Sequence, residues 1–92
     1  MSELRKQLTV VNQRGLHARA SAKFVGAVAE IPDGCTVRVA KGSNEAEGGS
    51  ILGLMMLGAA KGDMIELIVS GDNAAAVMAD LCAMIEDGFG EP

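Results

Sequence analysis

A chain of 92 residues, 49% hydrophobic and 22% charged, can bury one modest core and predicts a single soluble domain over 1–92. A formal charge of −4, with two Phe and neither Tyr nor Trp, removes both the basic footprint and the stacking platform of RNA-binding α/β modules, so nucleic acid is excluded as a partner. The longest apolar run, 51–57, is too short to span a bilayer and the opening MSELRKQL has no apolar signal core, so no membrane insertion is expected and the cytoplasm is the predicted compartment.

Leu8 and Val10 alternate with Thr9 and Val11 before Asn12 and Gly15, which is a strand signal. From Ala18 to Ile31 the period lengthens: Ser21, Phe24, Val25, Val28 and Ile31 share one side of a helix, and Pro32, Asp33 and Gly34 stop it. CTVRVAK then sets Cys35, Val37 and Val39 against Thr36, Arg38 and Ala40, and KGSN turns the chain into the short polar arm NEAE, a hairpin. SILGLMML opens a short helix after Gly48 and Gly49. KGD breaks it, and MIELIVS places Ile65, Leu67 and Val69 on one face of a further strand. After Gly71, Asp72 or Asn73 is placed to cap a last helix in which Ala74, Val77, Met78, Leu81, Cys82 and Ile85 form a stripe ending at Gly88. The order βαββαβα predicts an α+β fold, a four-stranded antiparallel sheet with three helices on one face and water on the other. Cys35 and Cys82 lack CxxC partners and, with one histidine, make no zinc site. They read as two small buried hydrophobes, and no metal is expected.

That histidine, His17, stands in RGLHARASAKFV two residues after Gly15 and directly before the first helix. On composition alone a lone histidine beside a loop is a surface residue. Its position says more, because the first amides of a helix have no partners and the positive end of the helix dipole favours anions, phosphate included. A neutral imidazole keeps a lone pair for attack on phosphorus, and Arg19 adds a fixed positive charge within reach. In the second helix Ile51, Leu52, Leu54, Met55, Met56 and Leu57 leave no polar side, so a one-layer core cannot cover them all. Ile51, Leu52, Met55 and Met56 are therefore predicted to form an apolar docking patch near His17, adaptable through its methionines. Ser50, at the head of that helix, can cap a free amide.

GLHAR in a loop between a first strand and a first helix resembles the active-site segment of the histidine-containing phosphocarrier protein (HPr) family of the bacterial phosphoenolpyruvate-dependent phosphotransferase system. GGSILGLMMLGAAKGD resembles the segment that holds the family's regulatory serine and short second helix, and the likeness covers nearly the whole chain. The resemblance implies an open-faced β-sandwich of four antiparallel strands and three helices. It matches His17 to the phosphorylated histidine, Arg19 to the arginine that assists transfer, and Ser50 to the serine that a dedicated kinase modifies in some members. What it implies for function is a stoichiometric phosphoryl carrier rather than a turnover enzyme, monomeric and without a cofactor. Such a carrier is loaded by phospho-enzyme I and unloaded onto an enzyme IIA-type partner.

One departure is Ala20, where the family usually has proline; a less rigid first helical turn would slow transfer. The tail AMIEDGFGEP and the stretch LMMLGAAKGD are similar to the nitrogen-related branch, so sugar transport and regulation both stay open. Two rivals of other classes remain: an acyl carrier modified on the serine of SILGL, which the alternating strands at 35–41 and 64–70 oppose, and a regulatory binding domain that never carries phosphate.

Overall fold

The computed structural model describes residues 3–91. In chain order these form β1 (Glu3–Thr9), α1 (Ala18–Ala29), β2 (Cys35–Lys41), β3 (Asn44–Glu47), α2 (Ile51–Met56), β4 (Met64–Gly71) and α3 (Ala74–Glu86), followed by a 3₁₀ turn at Gly88–Gly90. The strands make one antiparallel sheet in the order β1-β4-β2-β3. The crossover β1-α1-β2 leaves a slot between two strands running the same way, and β4 fills it, bonded on both sides. Its register aligns Val69 with Leu4 and Val37, and Leu67 with Lys6 and Val39.

The core lies between one face of this sheet and the helices. Leu8, Val37, Val39, Ala46, Ile65, Leu67 and Val69 come from the strands. Ala20 and Phe24 of α1, Leu54 of α2, and Val77, Leu81 and Ile85 of α3 come down onto them. The stripe Ala74, Val77, Met78, Leu81, Cys82, Ile85 is buried throughout, as its spacing predicts for one helix face.

Several local expectations are corrected. The first helix ends at Ala29 and not Ile31, because the amides of Glu30 and Ile31 bond three residues back, to Ala27 and Val28, in a tightened last turn before Pro32. Neither Asp72 nor Asn73 caps α3. Asn73 occupies the cap position at φ 58°, in the left-handed region, and makes no side-chain cap bond, since a cap geometry requires an extended residue there. Cys35 is half-buried, and only Cys82 is a fully interior thiol, its pKa raised by burial.

The outer face of the sheet is not uniformly wet. Ile68, on the central strand, is 1% exposed on that face. The register sets Arg5 on one side of it and Arg38 on the other. Glu3 joins the two guanidiniums at 3.0 and 3.2 Å, while Glu66 and Glu45 hold their far ends at 2.8 and 2.6 Å. Charged side chains of all four strands thus roof one isoleucine, long stems over an apolar floor and heads in water.

Candidate functional site

The chain between β1 and α1 is knitted to the segment that joins α2 to β4. Val10 N–H donates to the Asp63 carbonyl at 2.9 Å, Gly62 N–H to Val10 at 2.8 Å, and Leu16 N–H to Ala59 at 2.9 Å. Asn12, 5% exposed, closes the loop from inside, its Nδ2 donating to the Gly15 carbonyl at 2.7 Å while Gly15 N–H donates back to the Asn12 carbonyl at 3.1 Å. Gly15 takes φ 62°, which turns the chain so that Leu16 points into the core and His17 comes to the head of α1.

His17 is the N-cap residue of α1, with extended backbone (φ −78°, ψ −177°), and its carbonyl accepts the Ser21 amide at 2.9 Å. The His17 side chain does not cap the helix, and among the described residues the first-turn amides of Ala18, Arg19 and Ala20 have no side-chain acceptor. Ala20 is fully buried against the core, so the position that carries proline in the resembling family is filled here by a packed methyl group. His17, Gln13, Arg14, Arg19 and Glu91 line one depression of about 380 Å³. Arg14 and Arg19 form no salt bridge among the described residues, leaving two guanidiniums beside the ring without a counter-charge.

The ring itself is partnered. Glu91 Oε2 lies 2.6 Å from His17 Nε2, and Glu91 Oε1 accepts from Asn12 Nδ2 at 3.2 Å. Glu91 reaches the site because the chain beyond α3 folds back: Gly88, Phe89 and Gly90 are left-handed in succession, Phe89 is buried, and Lys23 Nζ holds its carbonyl at 2.7 Å. The structure therefore brings His17 and Arg19 together, and adds Asn12, Arg14 and Glu91, which sequence reasoning missed. A polar residue three positions before Gly15 was the available sign for Asn12. Nothing local marks Glu91.

The hydrogen bond from His17 is the main cause that holds the Glu91 carboxyl below its ordinary value of 4.5, with a smaller contribution from Asn12 and partial opposition from desolvation. A depressed carboxyl binds fewer protons folded than unfolded. Its contribution to stability is therefore complete above its unfolded value and disappears as pH falls through the lowered one. Denaturant unfolding of native protein and Glu91→Gln across pH is expected to show a constant difference above about pH 5 that shrinks on acidification. A difference that grows toward low pH would reverse this assignment.

Ser50 and its helix form a second feature. Ser50 is the N-cap of α2, its Oγ accepting the Gly53 amide at 3.0 Å. Leu54 and Leu57 turn into the core, while Ile51, Leu52, Met55 and Met56 are 41, 68, 40 and 77% exposed. The seven residues 51–57 cannot hide six large apolar groups against a single layer. The Leu16–Ala59 bond ties the chain that follows α2 to the His17 loop.

No group of three or more metal-ligating side chains occurs among the described residues, and no helix there is long and apolar enough to cross a membrane. The family model described as "PTS HPr component phosphorylation site" matches residues 4–87. The phosphocarrier protein HPr of Neisseria meningitidis serogroup A is 42% identical over 88 residues, 96% of this chain and 97% of that one. The phosphocarrier protein NPr of Shewanella violacea is 34% identical over 91 residues, 99% and 98% of the two chains. Among solved structures, HPr-C-His from Thermoanaerobacter tengcongensis superposes with a TM-score of 0.87 at 32% identity, covering 100% of this chain and 99% of that one. With a sandwich of the predicted topology and relatives aligned from end to end, the chain belongs to the HPr family of phosphocarrier proteins of the phosphotransferase system.

Proposed function

We propose that His17 accepts a phosphoryl group from phospho-enzyme I and passes it to an enzyme IIA-type partner. The observation that carries this reading is the placement of the ring: an imidazole at the head of α1, Nε2 engaged by Glu91 and Nδ1 without a partner among the described residues, in a depression that Arg14 and Arg19 also line. Transfer between histidines passes through a loose transition state with charge spread over the phosphoryl oxygens, so positioning and positive charge are what the protein must supply. Arg19, Arg14 and the first amides of α1 supply the charge, and the loop bonded to Ala59 supplies the position. No general base is required, because the attacking nitrogen carries no proton.

The direct test is incubation with phosphoenolpyruvate and enzyme I. One acid-labile phosphate on His17 supports the carrier; none sinks it. A phosphopantetheine adduct on Ser50 would favour an acyl carrier, which the four-stranded sheet already opposes. A second reading within the family, regulatory phosphotransfer uncoupled from sugar uptake, is favoured by the full-length likeness to an NPr. Assaying the phosphorylated protein against sugar-specific and nitrogen-related acceptors separates the two. A cytoplasmic location belongs to the same proposal.

The exposed side chains of Ile51, Leu52, Met55 and Met56 are proposed as the docking surface that successive partners share, and Ser50 as a point of control by a serine kinase. Phosphate on Ser50 would sit at a helix head, where charge is tolerated, yet place about −1.5 to −2 charges beside an apolar contact surface. Ser50→Asp imitates part of this, and aspartate is as good a cap as serine. The variant is expected to unfold like the native protein and to accept phosphate from enzyme I about tenfold more slowly, through a weaker encounter. An unchanged rate would remove Ser50 from control.

A further inference from the structure

We infer that Glu91 is a positioning residue for phosphoryl transfer: its carboxylate holds the Nε2–H of His17, leaving Nδ1 as the free nucleophile, and balances the positive charge that the ring gains on taking the phosphoryl group. The inference rests on the reading of His17 as the phosphoryl acceptor, and it concerns a residue outside the 4–87 segment that the family model matches.

Three features make the contact a built one. The pair is partly sheltered, the His17 side chain 23% exposed and that of Glu91 13%, and its 2.6 Å separation is that of a short charge-assisted hydrogen bond. The second carboxylate oxygen is fixed by Asn12 Nδ2, and that amide is itself interior and braced on the Gly15 carbonyl. The approach of the chain is forced. Phe89 is held at φ 59°, a conformation unfavourable for a bulky residue, with its ring 3% exposed and its carbonyl on Lys23. A tail that only covered the end of α3 would have no need of that conformation or of a carboxylate at its tip. Such an outlier beside a reactive group points to a functional constraint.

The charge balance supplies the reason. As Nδ1 donates its lone pair to phosphorus, the bond from phosphorus to the donor's phosphohistidine nitrogen breaks, and that electron pair stays on the donor ring. The proton on Nε2 does not move, so the acceptor ring gains one positive charge. Arg14 and Arg19 line the same depression and Lys23 grips the strap, three cations that disfavour this charge. Glu91 is the one carboxylate that faces the ring among the described residues lining the depression. An oriented carboxylate behind an imidazole does the same work wherever histidine becomes cationic in a reaction. On transfer to the acceptor the charge leaves with the phosphoryl group, so Glu91 serves both directions.

Two measurements decide. With phosphoenolpyruvate and enzyme I, Glu91→Gln keeps the shape and loses the charge. It is expected to accept phosphate about tenfold more slowly at saturating enzyme I, with half-saturation unchanged, because the side chains proposed for docking are those of α2. Native rates in this variant overturn the inference. Separately, nitrogen-15 NMR of the unphosphorylated ring should show Nε2 as the protonated nitrogen with a slowly exchanging proton in the native protein, and that proton should be lost to solvent exchange in Glu91→Ala. An identical ring signal in both overturns the positioning. If native protein takes no phosphate at all, it is the carrier reading that fails, and the ring proton still decides what Glu91 does.

Discussion

His17→Ala is expected to incorporate no phosphate from phosphoenolpyruvate and enzyme I, and to unfold within about 4 °C of the native protein. The first half follows from chemistry. His17 is the only histidine in 92 residues, and no other side chain lines the depression with a neutral nitrogen lone pair. The hydroxyl nearest in role, Ser50, is occupied as the cap of α2, accepting the Gly53 amide. The second half follows from burial and bonding. The ring is not part of the core, it does not cap α1, and its one polar bond among the described residues is to Glu91, in a depression open to water. Deleting it opens the Glu91 carboxylate further to water, which can solvate it, while Asn12 Nδ2 still holds one of its oxygens. Loss of acceptance with the fold intact therefore isolates the chemistry, and an acid-labile phosphate surviving in this variant would move the site elsewhere.

Much of this arrangement is legible in the residues, and the parts that are not share a cause. Strand alternation at 35–41 and 64–70 and the change of period after Ala18 are local, set by neighbours two to four places apart, and they come out where the pattern puts them. His17 is legible for the same reason: a glycine break and a helix start flank it within three residues. Glu91 is 74 residues from His17 in sequence. It arrives through three consecutive left-handed residues, one of them a phenylalanine, which no propensity favours. Ile68 belongs to the same class. Its outward phase on β4 follows from the face given to Ile65, Leu67 and Val69, but its burial depends on two arginines brought alongside by strands that pair with β4 from either side. Asn73 shows the converse failure, since its residue type suits a cap while the turn out of a central strand imposes a backbone that cannot make one. The resemblance to a family conveyed the architecture, which is common to its members, but not the contacts of the tail and the sheet face, which depend on residues far apart in the sequence.

Gly15→Ala is expected to destabilise the protein by about 3 kcal/mol or more and to depress phosphate acceptance even well below its lowered melting temperature. The positive φ of 62° is the smaller part, costing about 1 kcal/mol once a Cβ is present. The larger part is contact with backbone. A Cβ at Gly15 would stand 2.2 Å from the Ala59 carbonyl oxygen and 2.8 Å from Ala60 Cα, and neither can rotate away. Relief requires the loop to lift from the α2–β4 connection, which breaks the Leu16–Ala59 hydrogen bond and draws Leu16 out of the core. It also disturbs both bonds between Asn12 and Gly15, and with them the amide that steadies Glu91. His17, two residues on, then loses its bearing on the head of α1. The same chemical change at Gly26 makes the control. That glycine lies inside α1 with nothing within 4 Å of a built Cβ, so Gly26→Ala is expected to stabilise by about 0.5–1 kcal/mol through helix propensity alone. Thermal unfolding of the two variants should therefore move in opposite directions, and phosphate acceptance should fall only in the first. Equal shifts would mean that the Gly15 loop gives way freely and that the attachment of the His17 segment to Ala59 contributes little to placing the ring.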